Sequence, residues 1–179
     1  MIKVIDDVIS EKYSQYLFDQ MAKLQWTFVP NLSYGQTGNY DSAGFSCSLF
    51  LKDEYNQREK TTIVAPEYNY VVPLLLESFD KLHLNANIDN VFRCRARLTL
   101  NRETSKIGDK HIDYTFPHLV FLYYINTTDG DTVIYENDKV IERIQPRRGR
   151  GVLFDGSMYH ASSSSTLSPR IVLNTNILL

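Results

Sequence analysis

This chain is poor in several things, and each scarcity closes a route. It has two cysteines, Cys47 and Cys94, far apart and in no CxxC pair. That excludes a zinc knuckle and a thioredoxin-type motif. Each reads as a buried reduced thiol; a disulfide between them is the alternative. Charge of either sign is nearly balanced, at a net −2, so no nucleic-acid partner is expected. No apolar run approaches the ~20 residues that span a bilayer, and Met1–Asp7 is too acidic and too short in apolar residues for a signal peptide. The expectation is a soluble, cytoplasmic protein without a membrane partner. There is no internal repeat and no domain boundary. The 179 residues, 43% of them hydrophobic, suffice for one domain with a sizeable core.

What is present has a clear order. Residues 2–5 read as a short strand. Ser10 is placed to cap a helix running to about residue 24, with Glu11 in its first turn and Tyr13, Tyr16, Leu17, Met21 and Leu24 as its packing stripe. Residues 26–29 read as a strand ended by Pro30. Residues 31–44, with Gly35, Gly38 and Gly44, read as a loop, long enough to serve as a lid. Strand character returns from Phe45 to Leu51. A second helix lies within 67–82, with Pro73 either starting or kinking it. From residue 91 the period becomes two. Arg93, Arg95, Arg97, Thr99 and Asn101 fall on one face, and Cys94, Ala96, Leu98 and Leu100 on the other. The apolar face should pack on the helices; the polar face looks into solvent or into a polar cavity. Strands follow at 118–126, 131–136, 139–144, 151–155 and 170–177, divided by turn signals. The pattern predicts a mainly β fold with α support, a double-stranded β-helix (jelly roll) flanked by N-terminal helices.

There are four histidines, at 83, 111, 118 and 160. His83 reads as surface, and His118 as surface or as a neighbour of the site. In a strand, residues i and i+2 point the same way, so His111 and Asp113 can present an imidazole and a carboxylate to one ion. His160 is the best third ligand. Two nitrogens and one oxygen on one face of an octahedron leave open positions, the ligand set of non-haem Fe(II) oxygenases. A zinc hydrolase on the same ligands would need a general base, and no Asp or Glu stands out for that role. Arg170 lies ten residues beyond His160 at the start of a strand. Its rigid fork of donors suits a carboxylate, and a bound dicarboxylate would neutralise it if buried.

These pieces resemble the Fe(II)/2-oxoglutarate-dependent dioxygenase superfamily, and most of all its prolyl 4-hydroxylase branch. The resemblance lies in HID (111–113), FLYYIN (121–126), DGDTVIYE (129–136), IQPRRGRGVLFDG (144–156), YH (159–160) and PRIVLNTN (169–176). It covers 95–177 well and 1–90 loosely. It implies a helical support with outer strands over 1–90 and a catalytic jelly roll over 91–179. It implies that His111, Asp113 and His160 bind Fe(II), with 2-oxoglutarate and O2 as cosubstrates, and that Arg170 pairs with the distal carboxylate of 2-oxoglutarate. Tyr124 matches a tyrosine whose hydroxyl also binds that carboxylate; a core aromatic is the alternative. Two departures stand out: Asp129-Gly130-Asp131-Thr132 where the branch has Gly-Gly-x-Thr, and Arg170 where many animal prolyl hydroxylases carry Lys. The second Arg of the DNA-alkylation repair oxygenases is missing, since Arg170 is the last Arg in the chain. The implied activity is hydroxylation of a C–H bond, in a prolyl residue of a peptide or protein. The alternatives are a small molecule, such as a free amino acid or nucleotide, and a non-catalytic jelly-roll binding protein. The strand 91–101 precedes the HxD segment, so Arg97, Thr99 and Asn101 are candidate contacts for substrate or 2-oxoglutarate.

Overall fold

The first helix, α1 (Glu11–Met21), starts where the Ser10 hydroxyl accepts the Tyr13 N–H. That bond satisfies one of the orphan donors of the first turn. It stops at Met21, short of the expected residue 24, and the Trp26 indole N–H takes the freed Met21 carbonyl at 3.0 Å. The computed structural model describes residues 1–32, 43–56 and 60–179. Most of the expected 31–44 loop, and with it the lid, therefore lies outside the described residues. The second helix, α2 (Tyr68–Lys81), runs through Pro73 rather than starting there. Proline costs it one backbone hydrogen bond, while Val71, Leu74, Leu75, Ser78 and Phe79 bury one face.

The strands are β1 (Ile2–Ile5), β2 (Thr27–Val29), β3 (Gly44–Leu51), β4 (Ile63–Val64), β5 (Val91–Thr99), β6 (His118–Tyr124), β7 (Thr132–Glu136), β8 (Lys139–Ile144), β9 (Gly151–Asp155), β10 (Tyr159–Ser162) and β11 (Arg170–Leu178). The larger sheet has the order β1-β9-β6-β11-β5-β3-β2, with β4 also on β3; the smaller is β10-β7-β8. All pairings are antiparallel. Strand β10 was not anticipated. Tyr-His-Ala-Ser is too short and mixed to announce itself, and it is ordered by pairing with β7.

Alternation sorts the large sheet into two cores. Leu119, Phe121 and Tyr123 of β6, with Cys94 and Ala96 of β5, pack against Leu17, Met21, Leu74, Leu75 and Phe79 of the helices. Val120, Leu122 and Tyr124, with Phe154 and Val172, pack against Ile134 and Ile144 of the small sheet. The helices thus support one face of the large sheet while the other forms the interior of the jelly roll. Both cysteines are free thiols, Cys94 buried and Cys47 partly so. Strand β5 ends at Thr99, which leaves Asn101 beyond the sheet and exposed. Among the described residues, no helix is long and apolar enough to cross a membrane.

Candidate metal centre

His111 lies outside the named strands and touches β10 through a single antiparallel bridge. Its N–H donates to the His160 carbonyl and the His160 N–H donates back, both at 2.9 Å. The two imidazoles sit 4.6 Å apart, centre to centre. Asp113 completes a group whose ligand atoms all lie within 4.8 Å of one another. The expected strand geometry is therefore replaced by something more local. One bridge sets the two histidines opposite each other, and Asp113 is fixed separately. Nδ1 of His111 is 3.1 Å from the Asp109 carbonyl, and Nδ1 of His160 is 3.2 Å from that of Met158. A carbonyl can only accept, so each Nδ1 carries the proton and each Nε2 keeps a lone pair for an ion. Burial pushes the His160 imidazole down to about 4, against the pull of Asp113, so it is neutral and ligand-competent at pH 7.

Asp113 is held by one ion pair and two hydrogen bonds. Arg93 forms an ion pair with its Oδ2 at 2.8 Å, and the Nδ2 groups of Asn176 and Asn174 donate to the same oxygen at 2.9 and 3.2 Å. Burial pushes this carboxyl up, but the Arg93 guanidinium and the Asn176 hydrogen bond hold it well below the usual carboxylate range. The three ligands fit a divalent cation by donor type, charge and spacing.

Arg170, at the start of β11, is 3% exposed. Burial pushes its guanidinium down, and its Nε has no hydrogen-bond partner among the described residues. Nη2 donates to Thr132 Oγ1 at 2.7 Å, and Tyr124 Oη donates to the same oxygen at 2.7 Å. Two donors occupy both lone pairs of Thr132, so its own O–H is free to donate elsewhere. A buried cation with an unmet donor beside a free hydroxyl proton is a seat for an anion. Arg170, Thr132, Arg97, Thr99 and the three metal ligands line one cavity. Tyr124 stands behind Thr132 with its guanidinium neighbour 5.3 Å from its ring centre. Asn101 does not line this cavity.

A larger groove of about 990 Å³ also borders Asp113. Its walls include Thr27 and Val29 of β2, Ser46 and Ser48 of β3, Arg95, Glu67 and Tyr114. The polar face of β5 thus looks into cavities rather than bulk water. His83 is exposed, as expected. His118 is not a surface residue: it is fully buried, edge-on to Phe92 and Tyr114, with Nδ1 2.8 Å from the Phe116 carbonyl. The sequence reading also passed over Thr132, Arg93, Asn174 and Asn176. Their signal was parity. Arg170, Val172, Asn174 and Asn176 share one face of β11, and two asparagines on an otherwise buried strand require partners.

The solved structures that resemble this fold share a description. A 2OG-Fe(II) oxygenase family oxidoreductase from Burkholderia pseudomallei superposes with a TM-score of 0.75 at 12% identity, over 98% of this chain and 84% of that one. The chain has the fold of the 2OG-Fe(II) oxygenases. The same oxygenase fold appears in a Trichoplax adhaerens prolyl hydroxylase bound to a peptide of the hypoxia inducible factor oxygen degradation domain, with a TM-score of 0.66 at 14% identity over 99% and 83% of the two chains. A Pseudomonas putida prolyl-4-hydroxylase gives 0.63 at 14%, over 99% and 91%. No protein-family model and no curated protein matches the sequence.

Proposed function

We propose that this protein is an Fe(II)- and 2-oxoglutarate-dependent dioxygenase that hydroxylates a C–H bond, in a prolyl residue of a peptide. The observation that carries the reading is the pairing of two features in one cavity: the His111–Asp113–His160 group, with ligand atoms within 4.8 Å, and the buried Arg170, whose Nε lacks a partner among the described residues. His111, Asp113 and His160 would hold the iron, and Arg170 with Thr132 would receive the distal carboxylate of 2-oxoglutarate. When bound, iron with 2-oxoglutarate and O2 supplies the oxidation: one oxygen atom enters the C–H bond and the other leaves in succinate, with loss of CO2.

The chain's own residues supply orientation and charge. Arg170 and the Thr132 O–H fix one end of the diacid, and Tyr124 holds Thr132 in the rotamer that presents that proton. Arg97 and Thr99, on the same strand face, line the cavity that would receive the diacid. No side chain is assigned a role as acid or base, since the iron and its cosubstrates would supply the oxidation. The groove beside Asp113, about 990 Å³ and walled by β2 and β3, has room for a peptide segment, and the peptide-bound prolyl hydroxylase neighbour supports that substrate class.

The test is turnover. Purified protein with Fe(II), 2-oxoglutarate and O2 should release succinate, and faster with proline-containing peptides than with free amino acids or nucleotides. Mass spectrometry should place one added oxygen on proline. Succinate release coupled only to a small molecule would overturn the peptide assignment, and none at any Fe(II) level would overturn the enzyme.

A further inference from the structure

The contacts that hold Asp113 reach beyond the carboxylate itself. Arg93 is 4% exposed. Its Nε donates to Asn176 Oδ1 at 2.6 Å while its Nη2 meets Asp113 Oδ2 at 2.8 Å. Its guanidinium lies 4.7 Å from the centre of the Tyr114 ring, and Tyr114 is itself packed against Phe92 and Phe116. The strand register makes this possible. Arg93 of β5 stands directly opposite Asn176 of β11, and Asn174 is one step along the same face. All three converge on one oxygen of Asp113.

A buried ion pair is a poor way to stabilise a fold, because desolvating two charges offsets most of their attraction. Packing alone would be served as well by a hydrophobic pair. What this arrangement does that a hydrophobic pair would not is fix a carboxylate. Resting on the metal reading above, we propose that Arg93, with Asn174 and Asn176, is a positioning clamp on Asp113. It occupies Oδ2 so that Oδ1 alone is offered to the ion, and it thereby sets metal affinity. His111 and His160 are locked to each other by their backbone bridge; Asp113, outside any strand, has no such bridge, and the clamp takes its place.

The test measures binding of Co(II) and Mn(II), by competition with a chromophoric chelator and by the Co(II) visible spectrum, with no turnover involved. Arg93→Met should bind 10- to 100-fold more weakly, the range typical when a ligand's supporting partner is removed. Its Co(II) spectrum should change as Oδ2 becomes free to coordinate. Arg93→Lys, which keeps the charge but not the fork, should recover part of the affinity. Arg93→Met with unchanged or tighter affinity per folded molecule, whatever its melting temperature, overturns the clamp while leaving the metal site standing. A wild-type protein that binds neither ion overturns both. If Arg93→Met fails to fold, Asn174→Leu decides: about 3- to 10-fold weaker binding upholds the clamp, and unchanged binding overturns it.

Discussion

His111 and His160 face each other across one antiparallel bridge, each donating its N–H to the other's carbonyl at 2.9 Å. Two ligands of the proposed ion are therefore spaced by backbone rather than by side-chain packing. Backbone hydrogen bonds of this kind form only if the strand carrying His160 pairs correctly with β7. The metal site thus draws on both sheets: β10 of the small one carries His160, and Arg93 and Asn176 of the large one hold Asp113.

Arg170 and Thr132 should act on 2-oxoglutarate alone. Arg170→Met removes a buried charge partner, a loss of about 2–5 kcal/mol, and should raise the Kd for 2-oxoglutarate by at least about 30-fold. Thr132→Val removes one donor, worth about 0.5–1.5 kcal/mol, and should raise it about 3- to 10-fold. Metal affinity in the absence of 2-oxoglutarate should stay at the wild-type value in both. Calorimetric titration of each ligand separately checks this.

Gly130 sits where a Cβ would lie 2.7 Å from the Ser163 carbonyl oxygen and 3.3 Å from Arg170 Cδ. Gly130→Ala must displace backbone to fit. It should cost about 1–3 kcal/mol and weaken 2-oxoglutarate binding as Arg170 is pushed. Denaturant melts and the same titration read the two effects.

Asp129 anchors the loop before β11. Its carboxylate accepts from the Ser165 hydroxyl and from the Thr166 and Leu167 N–H groups. The Ser165 and Thr166 hydrogen bonds hold its carboxyl far below the usual carboxylate range. For a carboxyl lowered in the folded state, the stabilisation is complete above its unfolded value of about 3.9. It is lost as pH falls through the folded value. Asp129→Asn should therefore melt at a lower temperature than wild type at pH 7, with the gap closing as the pH drops below about 4. A constant gap from pH 7 to pH 3 would contradict the anchor.

Leu75 is fully buried between α2 and the large sheet, on the face away from the cavity. Leu75→Ala should cost about 2–5 kcal/mol of stability and leave metal and 2-oxoglutarate affinities unchanged at temperatures where the variant is folded.

Most of this architecture was legible because period and partner agree. The alternation of β5 separated Cys94 and Ala96 from Arg93 and Arg97, and the two sets do pack on helices and line cavities respectively. His111, Asp113, His160 and Arg170 were visible as an ordered set, and they gather around one cavity. Other features depend on long-range pairing, which local pattern does not encode. Strand β10 exists through β7. Thr132 of β7 meets Arg170 of β11 only through the fold. His118 follows a proline at the very start of β6, yet β6 is covered on both faces, so it is buried. Arg93 was placed on the correct face, but its ion pair spans twenty residues and no spacing rule predicts it.

His111, Asp113 and His160 are proposed to hold one ferrous ion. Anaerobic titration with Fe(II) tests this most directly. The wild-type protein should bind one ion per chain, and His160→Ala and Asp113→Ala should each bind none at the same concentration. Equal binding by all three proteins would contradict the account.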